Sequence, residues 1–88
     1  MIIDYHPAFK RSFKKRILNS PKLITRTRER IALFQEDFKS PLLRDHQLTG
    51  KMAHLRAFWV TGDIRIVYLP ITRGHVLFLD IGSHNQVY

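Results

Sequence analysis

The sequence predicts an α+β fold with the element order βααβββ, in which a mainly antiparallel sheet packs against an N-terminal helical hairpin. Three observations lead to this prediction. Apolar residues recur at helical spacing in the first half of the chain and at alternate positions in the second half. The 88 residues are too few for two hydrophobic cores, so residues 1–88 are expected to form one domain. The hydrophobic content of 44% is ordinary for a globular protein and argues against disorder.

The first half is predicted to hold one strand and two helices. Residues 2–5 form a short strand, and a helix is expected from Pro7, whose missing N–H costs nothing in the first turn. Three apolar residues then recur at intervals of four: Phe9, Phe13 and Ile17. Ser20 is placed to cap a second helix that has Pro21 at its first position. This helix is predicted to run to about Phe38, with that residue facing inward.

The second half is predicted to hold three strands joined by tight turns. A linker-like segment covers residues 39–50, after which the apolar period changes to two. The predicted strands are residues 52–60, 63–69 and 75–81. In the middle strand, alternation turns Ile64 and Ile66 towards the helices and Arg65 towards the open face of the sheet. A guanidinium on that face is costly to desolvate, so Arg65 is expected to have a partner or to face a wet cleft.

Positive charge is concentrated in the predicted helical hairpin. Nine bases and only one acid, Glu29, fall between positions 10 and 30, whereas the remaining six bases and six acids balance. This distribution favours a polyanionic partner, most simply nucleic acid. Solvated helix faces are the alternative interpretation, and an anionic membrane is a weaker one. The candidate RNA-contacting residues are Lys10, Arg11, Lys14, Lys15, Arg16, Arg26, Arg30, Lys51, Arg56 and Trp59.

Several classes of site and location are disfavoured by composition. The chain has no cysteine, which excludes disulfides, thiolate nucleophiles and cysteine-based metal sites. It also lacks close histidine pairs and glycine-rich phosphate loops, so no metal and no cofactor are expected. No apolar run approaches the length that spans a bilayer, and the first residues lack the layout of a signal peptide. We therefore expect a cytoplasmic protein.

Polar residues in the neutral half of the chain suggest acid–base chemistry. The candidate catalytic residues are His46, Asp63, Arg65, His84 and Tyr88. They come from three segments distant in sequence, which the predicted topology allows to meet at one rim of the open face. Imidazole, carboxylate and guanidinium groups suit metal-free phosphodiester cleavage: one group deprotonates a ribose 2′-hydroxyl, another protonates the leaving 5′-oxygen, and the guanidinium stabilises the transition state. The alternative is that these histidines are ordinary surface residues near turns.

Three segments of the chain carry a resemblance to a known family. Residues 43–50, LRDHQLTG, resemble a family segment that ends in Asp-His-x-Leu-x-Gly, and residues 55–56 and 63–68 resemble its central strands. Residues 81–88, IGSHNQVY, resemble its closing Gly-[ST]-His-x-x-[LV]-[YF] motif. The chain thus resembles the RelE/ParE superfamily of bacterial toxins, and within it the YafQ-like mRNA interferases of type II toxin–antitoxin systems. The resemblance covers nearly the whole chain.

The resemblance implies a RelE-like fold and ribosome-dependent cleavage of mRNA that leaves a 2′,3′-cyclic phosphate and a 5′-hydroxyl. By motif, His46 resembles a histidine of the acid–base set, Asp63 its carboxylate and His84 the general acid. Tyr88 takes the place of the closing aromatic that contacts the substrate, and Arg65 matches an arginine that stabilises phosphate. The implied partners are a cognate antitoxin, mRNA and the 70S ribosome, with the basic helices as the surface that docks on ribosomal RNA.

One departure from the family pattern keeps alternatives open. Where YafQ-like toxins often have a second catalytic histidine, this chain has Trp59, which leaves the identity of the general base open and suggests a base-stacking role for the indole. One alternative is a ParE-like toxin that inhibits DNA gyrase without RNA chemistry; such chains generally lack the pair of His46 and His84. The other is a catalytically silent module that binds RNA or ribosomes.

Overall fold

A strand and two helices precede four further strands and a closing helical turn. The computed structural model describes all residues from 1 to 88. The strands are β1 (Ile2–Tyr5), β2 (His46–Gln47), β3 (Arg56–Trp59), β4 (Ile64–Thr72) and β5 (His75–Ser83). The α-helices are α1 (Pro7–Arg16), α2 (Pro21–Glu36) and α3 (His84–Val87). Short 3₁₀ turns at Pro41–Leu43 and Gly50–Met52 flank β2.

The five strands form one sheet in the order β1-β5-β4-β3-β2. β1 runs parallel to β5, and every other neighbouring pair is antiparallel. The predicted α+β class and mainly antiparallel sheet are therefore confirmed. Two elements lie outside the predicted order: β2, which falls in the linker-like segment, and α3, which follows the last strand. None of the helices has the length and apolar composition needed to cross a membrane.

Both long helices begin at the residues that the sequence marks. The Nδ1 atom of His6 accepts a hydrogen bond from the backbone N–H of Ala8 at 2.9 Å, and Pro7 is the first residue of α1. Ser20 caps α2, because its hydroxyl oxygen accepts from the backbone N–H of Leu23 at 3.3 Å. These caps satisfy N–H groups that no helical carbonyl can reach, so each helix starts at a defined residue.

Several predicted boundaries are wrong. β4 continues to Thr72, three residues past the predicted end of the middle strand, and β5 continues to Ser83, two residues past its predicted end. α2 ends at Glu36, and Phe38 lies beyond it with 45% of its surface exposed, so it does not face the core. The strand predicted over residues 52–60 begins only at Arg56, because Met52 is the last residue of the 3₁₀ turn Gly50–Met52 and Ala53 keeps helical backbone angles, with φ −63° and ψ −16°.

The main hydrophobic core lies between the helices and one face of the sheet. Phe34 of α2 stacks on Phe58 of β3, with ring centroids 4.7 Å apart and planes 12° from parallel. Phe78 of β5 packs against both rings with centroid distances of 5.8 Å. Ile66 is fully buried in this core and Ile64 packs against it, so the predicted orientation of the middle strand is confirmed.

The opposite face of the sheet carries a second, smaller apolar cluster. Its buried members are Leu48, Leu55, Ala57, Val67 and Val87. Val87 belongs to α3, so α3 folds back over this face after the chain leaves β5. Leu48 follows β2 directly and anchors that edge of the sheet to the same cluster. The open face is therefore partly covered, and both covering segments carry a candidate catalytic histidine.

Candidate active site

A pocket of about 310 Å³ lies where α3 folds back towards β2. Its lining includes His46, Thr49, Met52, His84 and Tyr88. The two histidines are 38 positions apart in the sequence, and both are exposed to solvent. Two imidazoles beside one opening can accept and donate a proton on the same bound molecule. Three of the five predicted catalytic residues therefore meet in one pocket.

His46 is oriented by its own neighbours in the chain. In the sheet, His46 pairs with Ala57 of the neighbouring strand β3. Directly paired residues share a face, so His46 lies on the open face with Ala57. The Nδ1 atom of His46 lies 2.8 Å from the backbone carbonyl oxygen of Arg44. Because a carbonyl oxygen only accepts hydrogen bonds, Nδ1 must carry the proton in that contact. In the neutral ring the lone pair is then on Nε2, which makes Nε2 the basic atom.

A hydrogen-bonded network anchors the residue before His46. The carboxylate of Asp45 accepts from Arg56 Nε at 2.7 Å and from the Tyr68 hydroxyl at 2.5 Å, and the Asp45 side chain is only 7% exposed. Burial, followed by the hydrogen bond to Asp45, raises the pKa of Tyr68 well above its ordinary value, and the charge of Arg56 opposes this. The network ties β2 to β3 and β4, and so holds His46 at the pocket.

The turn from β5 into α3 positions His84 and Tyr88. The side-chain oxygen of Gln86 accepts from the backbone N–H of Ser83 at 2.7 Å, which closes the first turn of α3. The rings of His84 and Tyr88, four residues apart, meet edge to face with centroids 4.6 Å apart and planes at 85°. The spacing Ser-x-x-Gln in the sequence is a helix-start signal from which α3 could have been predicted.

Arg65 lies next to Tyr88 on the open face. In the sheet it stands opposite Trp59 of β3 and Gly82 of β5, two residues before His84. Burial raises the pKa of Tyr88, and the positive charge of Arg65 lowers it in part. Arg65 also donates through Nη1 to the backbone carbonyl of Gly62 at 3.0 Å. The guanidinium thus has a hydrogen-bond partner in the protein, and its charge acts on Tyr88, which lines the pocket.

Asp63 is not brought into the pocket. It lies in the turn before β4, is exposed, and its carboxylate takes part in no hydrogen bond or ion pair. Asp63 precedes the first residue of β4 and is not among the residues that line the pocket, so the structure does not bring it together with His46 and His84 there. No group of three His, Cys, Asp or Glu side chains is close enough to hold a metal ion.

Trp59 has a neighbour that the sequence analysis missed. Two guanidinium groups lie over its ring: the carbon of Arg44 is 4.4 Å from the ring centroid and that of Arg65 is 4.5 Å. Arg44 has a φ of 48°, the one non-glycine residue with positive φ in the chain. Only its position beside Asp45 and His46 in the sequence could have drawn attention to it.

Comparison with known proteins gives the family. The family model described as "Bacterial toxin of type II toxin-antitoxin system, YafQ" matches residues 1–88. This chain belongs to that family. No protein among the curated ones matches the chain.

Solved structures share the fold of this YafQ-family toxin. A copper-bound mutant toxin from Helicobacter pylori superposes with a TM-score of 0.81 at 25% identity, over 100% of this chain and 99% of that one. YafQ from E. coli strain BL21(DE3) has a TM-score of 0.81 at 17% identity, over 98% and 96% of the two chains. The toxin chain in an E. coli DinJ–YafQ complex has a TM-score of 0.79 at 18% identity over the same shares. At the lower identities the likeness concerns the fold alone.

The basic surface of this YafQ-family toxin is centred on α1. Lys10, Arg11, Lys14 and Lys15 are all exposed, and none is in an ion pair. Lys51, in the 3₁₀ turn after β2, is exposed as well. Lys14 and Lys15 lie in the last turn of α1, where their positive charges also interact favourably with the negative end of the helix dipole. These side chains are free to contact a polyanion.

Four other residues that the sequence predicts as RNA contacts have side chains that bind other groups of the protein. Arg16 donates to the Ile81 carbonyl at 3.0 Å and pairs with Asp80 at 3.3 Å. The remaining three have one partner each: Arg26 pairs with Glu29 at 3.6 Å, Arg30 donates to the Leu42 carbonyl at 3.3 Å, and Arg56 pairs with Asp45. The pair of Arg26 is exposed and weak, whereas Arg16 and Arg56 are partly buried and tie elements together.

Proposed function

We propose that this toxin is an endoribonuclease that cleaves mRNA on the ribosome, without a metal ion, by attack of a ribose 2′-hydroxyl on the adjacent phosphodiester. The observation that carries the proposal is the pocket shared by His46, His84 and Tyr88. Arg65 is near enough for its charge to lower the pKa of Tyr88 in part. A pair of imidazoles can supply both proton transfers of such a reaction at neutral pH.

The geometry favours His46 as the general base. With its Nδ1 proton held by the carbonyl of Arg44, neutral His46 has its lone pair on Nε2, and the residue lines the pocket. Nε2 takes the proton of the 2′-hydroxyl, and the 2′-oxygen forms a bond to phosphorus. This assignment supplies the base that the replacement of a family histidine by Trp59 had left open.

His84 completes the reaction as general acid. It protonates the 5′-oxygen as the bond from that oxygen to phosphorus breaks, which yields a 2′,3′-cyclic phosphate and a 5′-hydroxyl. Arg65 stabilises the charge that develops on the phosphoryl oxygens, and Tyr88 contacts the substrate beside His84. Each well-placed acid or base contributes about 10²–10⁴-fold to the rate. The proposal gives Asp63 no proton-transfer step, because its carboxylate lies outside the pocket.

The partners follow from the charge and from the family. The exposed cations of α1 would dock on ribosomal RNA, and the toxin would act in the cytoplasm beside translating mRNA. The same cations would attract an acidic segment of a cognate antitoxin. A complex of a related toxin with a partner protein, the E. coli DinJ–YafQ complex, supports the existence of such a partner.

The test is to add the purified toxin to translating ribosomes and map the mRNA ends. We expect new ends with a 5′-hydroxyl and a 2′,3′-cyclic phosphate, and their loss in His46→Ala and His84→Ala variants that still fold and bind ribosomes. The matched control is His54→Ala, because His54 is exposed and lies outside the pocket. Cleavage by His84→Ala at the wild-type rate would contradict the proposal, and inhibition in a plasmid-supercoiling assay with intact mRNA would favour gyrase as the target.

A further inference from the structure

We propose that Arg44, Trp59 and Arg65 form a phosphate clamp for the RNA strand, in which the indole spaces two guanidinium groups and does not stack a base. The clamp deepens the proposed function and rests on it, because the strand it grips is the substrate. It adds Arg44 as a binding residue and changes the role of Trp59 from a base-stacking platform to a positioning residue.

The two guanidinium groups reach the indole from opposite sides of β3. Arg65 extends from β4, the strand directly opposite Trp59, whereas Arg44 comes from the segment that leads into β2 on the other side. Their carbons lie 4.5 Å and 4.4 Å from the ring centroid, within the range of cation–π contact. Because two cations already contact this ring, a nucleobase that stacks on it would have to compete with them.

The clamp leaves its hydrogen-bond donors free. A guanidinium that stacks through its face keeps its five N–H groups in the plane, pointing away from the ring. Arg65 uses one of them on the Gly62 carbonyl, and the side chain of Arg44 donates to no group of the protein. Such free, planar donors match the oxygens of a phosphate, which accept in pairs.

No carboxylate neutralises the two charges. Neither Arg44 nor Arg65 is in an ion pair. Of the neighbouring acids, Asp45 is engaged by Arg56 and Tyr68, and Asp63 forms no ion pair. Two unneutralised cations held close to one indole repel each other, and a bound anion relieves that repulsion. The site is therefore electrostatically incomplete without an anion.

The clamp adjoins both proposed catalytic histidines. The carbonyl of Arg44 holds the ring of His46, and Arg65 stands opposite Gly82, two residues before His84. A strand whose phosphates lie on these guanidinium groups passes directly to the pocket. This position favours RNA over an acidic peptide as the occupant, because a peptide has no group for the two histidines to act on.

Trp59 is the only tryptophan of the chain, so its fluorescence reports on the clamp directly. The probes are inorganic phosphate and a 2′-deoxy oligonucleotide, which binds but offers no 2′-hydroxyl for cleavage. We expect both to change the emission. In Arg44→Gln and Arg65→Gln, we expect the slope of log K against log salt for the oligonucleotide to fall by about 0.7 for each phosphate that the variant no longer neutralises. The matched control is Arg73→Gln, at the exposed turn between β4 and β5, which should leave the slope unchanged.

Variants of Trp59 test whether the ring holds the two guanidinium groups or stacks a nucleobase. Binding of a labelled oligonucleotide should weaken in Trp59→Ala and be largely retained in Trp59→Phe, whose smaller ring can still contact both cations. An oligonucleotide with abasic sites should bind as tightly as the intact one. Weaker binding of the abasic strand, or displacement of the oligonucleotide by polyglutamate at equal charge concentration, would overturn the clamp in favour of base stacking or of a peptide site.

The clamp and the proposed function fail in different ways. If the slope of log K against log salt is the same for Arg44→Gln, Arg73→Gln and the wild type, the clamp proposal is wrong, even if the wild type cleaves mRNA on ribosomes. Absence of cleavage by the wild type would remove the nuclease proposal, whereas a reduced salt slope in Arg44→Gln and Arg65→Gln would still support the clamp as an RNA-binding site.

Discussion

The guanidinium of Arg16, the last residue of α1, donates a hydrogen bond to the backbone carbonyl of Ile81 in β5 at 3.0 Å. The contact exists because β1 is short: it pairs with residues 75–78 of β5 and leaves the rest of that edge without a strand partner. Arg16 also pairs with Asp80 at 3.3 Å. The basic helix is thereby joined to the strand that leads into His84.

Replacement of Arg16 by Gln should lower the free energy of unfolding by about 1–2 kcal/mol, because a partly buried, charge-assisted hydrogen bond and an ion pair are removed. Chemical denaturation measures this. Arg11→Gln is the control, since Arg11 is exposed on the same helix and should change the stability by no more than about 0.5 kcal/mol. Equal stabilities of the two variants would show that Arg16 does not hold the edge of β5.

Gly82→Ala should destabilise the turn into α3. A Cβ at this position would lie 2.7 Å from Arg16 Nη1 and from Gln86 Oε1, and 3.1 Å from Gln86 Cβ. Both side chains can move, but only by giving up their hydrogen bonds to the Ile81 carbonyl and the Ser83 N–H, so we expect a loss of about 1–2 kcal/mol. Proposed mRNA cleavage should fall as His84 loses its support.

Gly74→Ala is the matched control for that variant, because a Cβ at Gly74 meets no atom within 4 Å. Its stability and activity should stay at wild-type levels. A stable, fully active Gly82→Ala protein would mean that the hydrogen bonds of Arg16 and Gln86 are not needed to position α3.

Asp45→Asn should weaken the hydrogen-bonded network of Asp45, Arg56 and Tyr68, which holds the segment that carries His46. The amide cannot replace the ion pair with Arg56 and is a weaker acceptor for Tyr68. Fully buried pairs lose about 3–5 kcal/mol when one partner is removed, and the 38% exposure of the Arg56 side chain brings our expectation to about 2 kcal/mol. Denaturation curves measure the loss, and Tyr68→Phe, which keeps the ion pair, should lose about 1 kcal/mol. The reverse order of the two losses would contradict the central role of Asp45.

Alkaline pH should destabilise the protein through Tyr68. In the unfolded chain this tyrosine ionises near its ordinary pKa of 10.0, whereas the folded protein holds the pKa higher, so the native state binds more protons above that pH. The stability that Tyr68 contributes is complete below pH 10 and declines as the pH rises towards the folded pKa. The slope should reach at most about 1.4 kcal/mol per pH unit for this group. Unfolding free energies measured from pH 9 to 11 should therefore fall less steeply in Tyr68→Phe than in the wild type, and identical slopes would contradict the assignment.

The exposed face of α1 should determine the affinity for ribosomes. Replacement of Lys10, Lys14 and Lys15 together by Gln removes three cations that make no ion pair, so the fold should be unaffected. Ribosome binding should weaken, and the slope of log K against log salt should fall by about 0.7–0.9 for each phosphate that these lysines neutralise in the wild type. Sedimentation with ribosomes at several salt concentrations measures both. An unchanged slope would show that α1 does not contact RNA.

Local signals in the sequence predicted the elements that depend on local interactions. Ser20 and Pro21 start α2 because capping involves atoms within three residues of each other. Alternation assigned Ile64 and Ile66 to the core because a strand turns every second side chain to the same face. The end of α2 was misplaced at Phe38, since the apolar period continued beyond the residue at which the backbone leaves the helix.

The sequence by itself determined the fold class, the family and the chemical groups available to the site, because these follow from short-range periodicity and from short motifs. Only the tertiary structure decided which groups lie together. The two residues of β2 form a strand only because they pair with β3. Val87 holds α3 over the sheet by packing in the smaller apolar cluster. Arg44 contacts the indole of Trp59, fifteen residues away in the sequence. Such contacts join positions distant in the chain, so their geometry depends on how all the elements pack at once and leaves no pattern in any one segment.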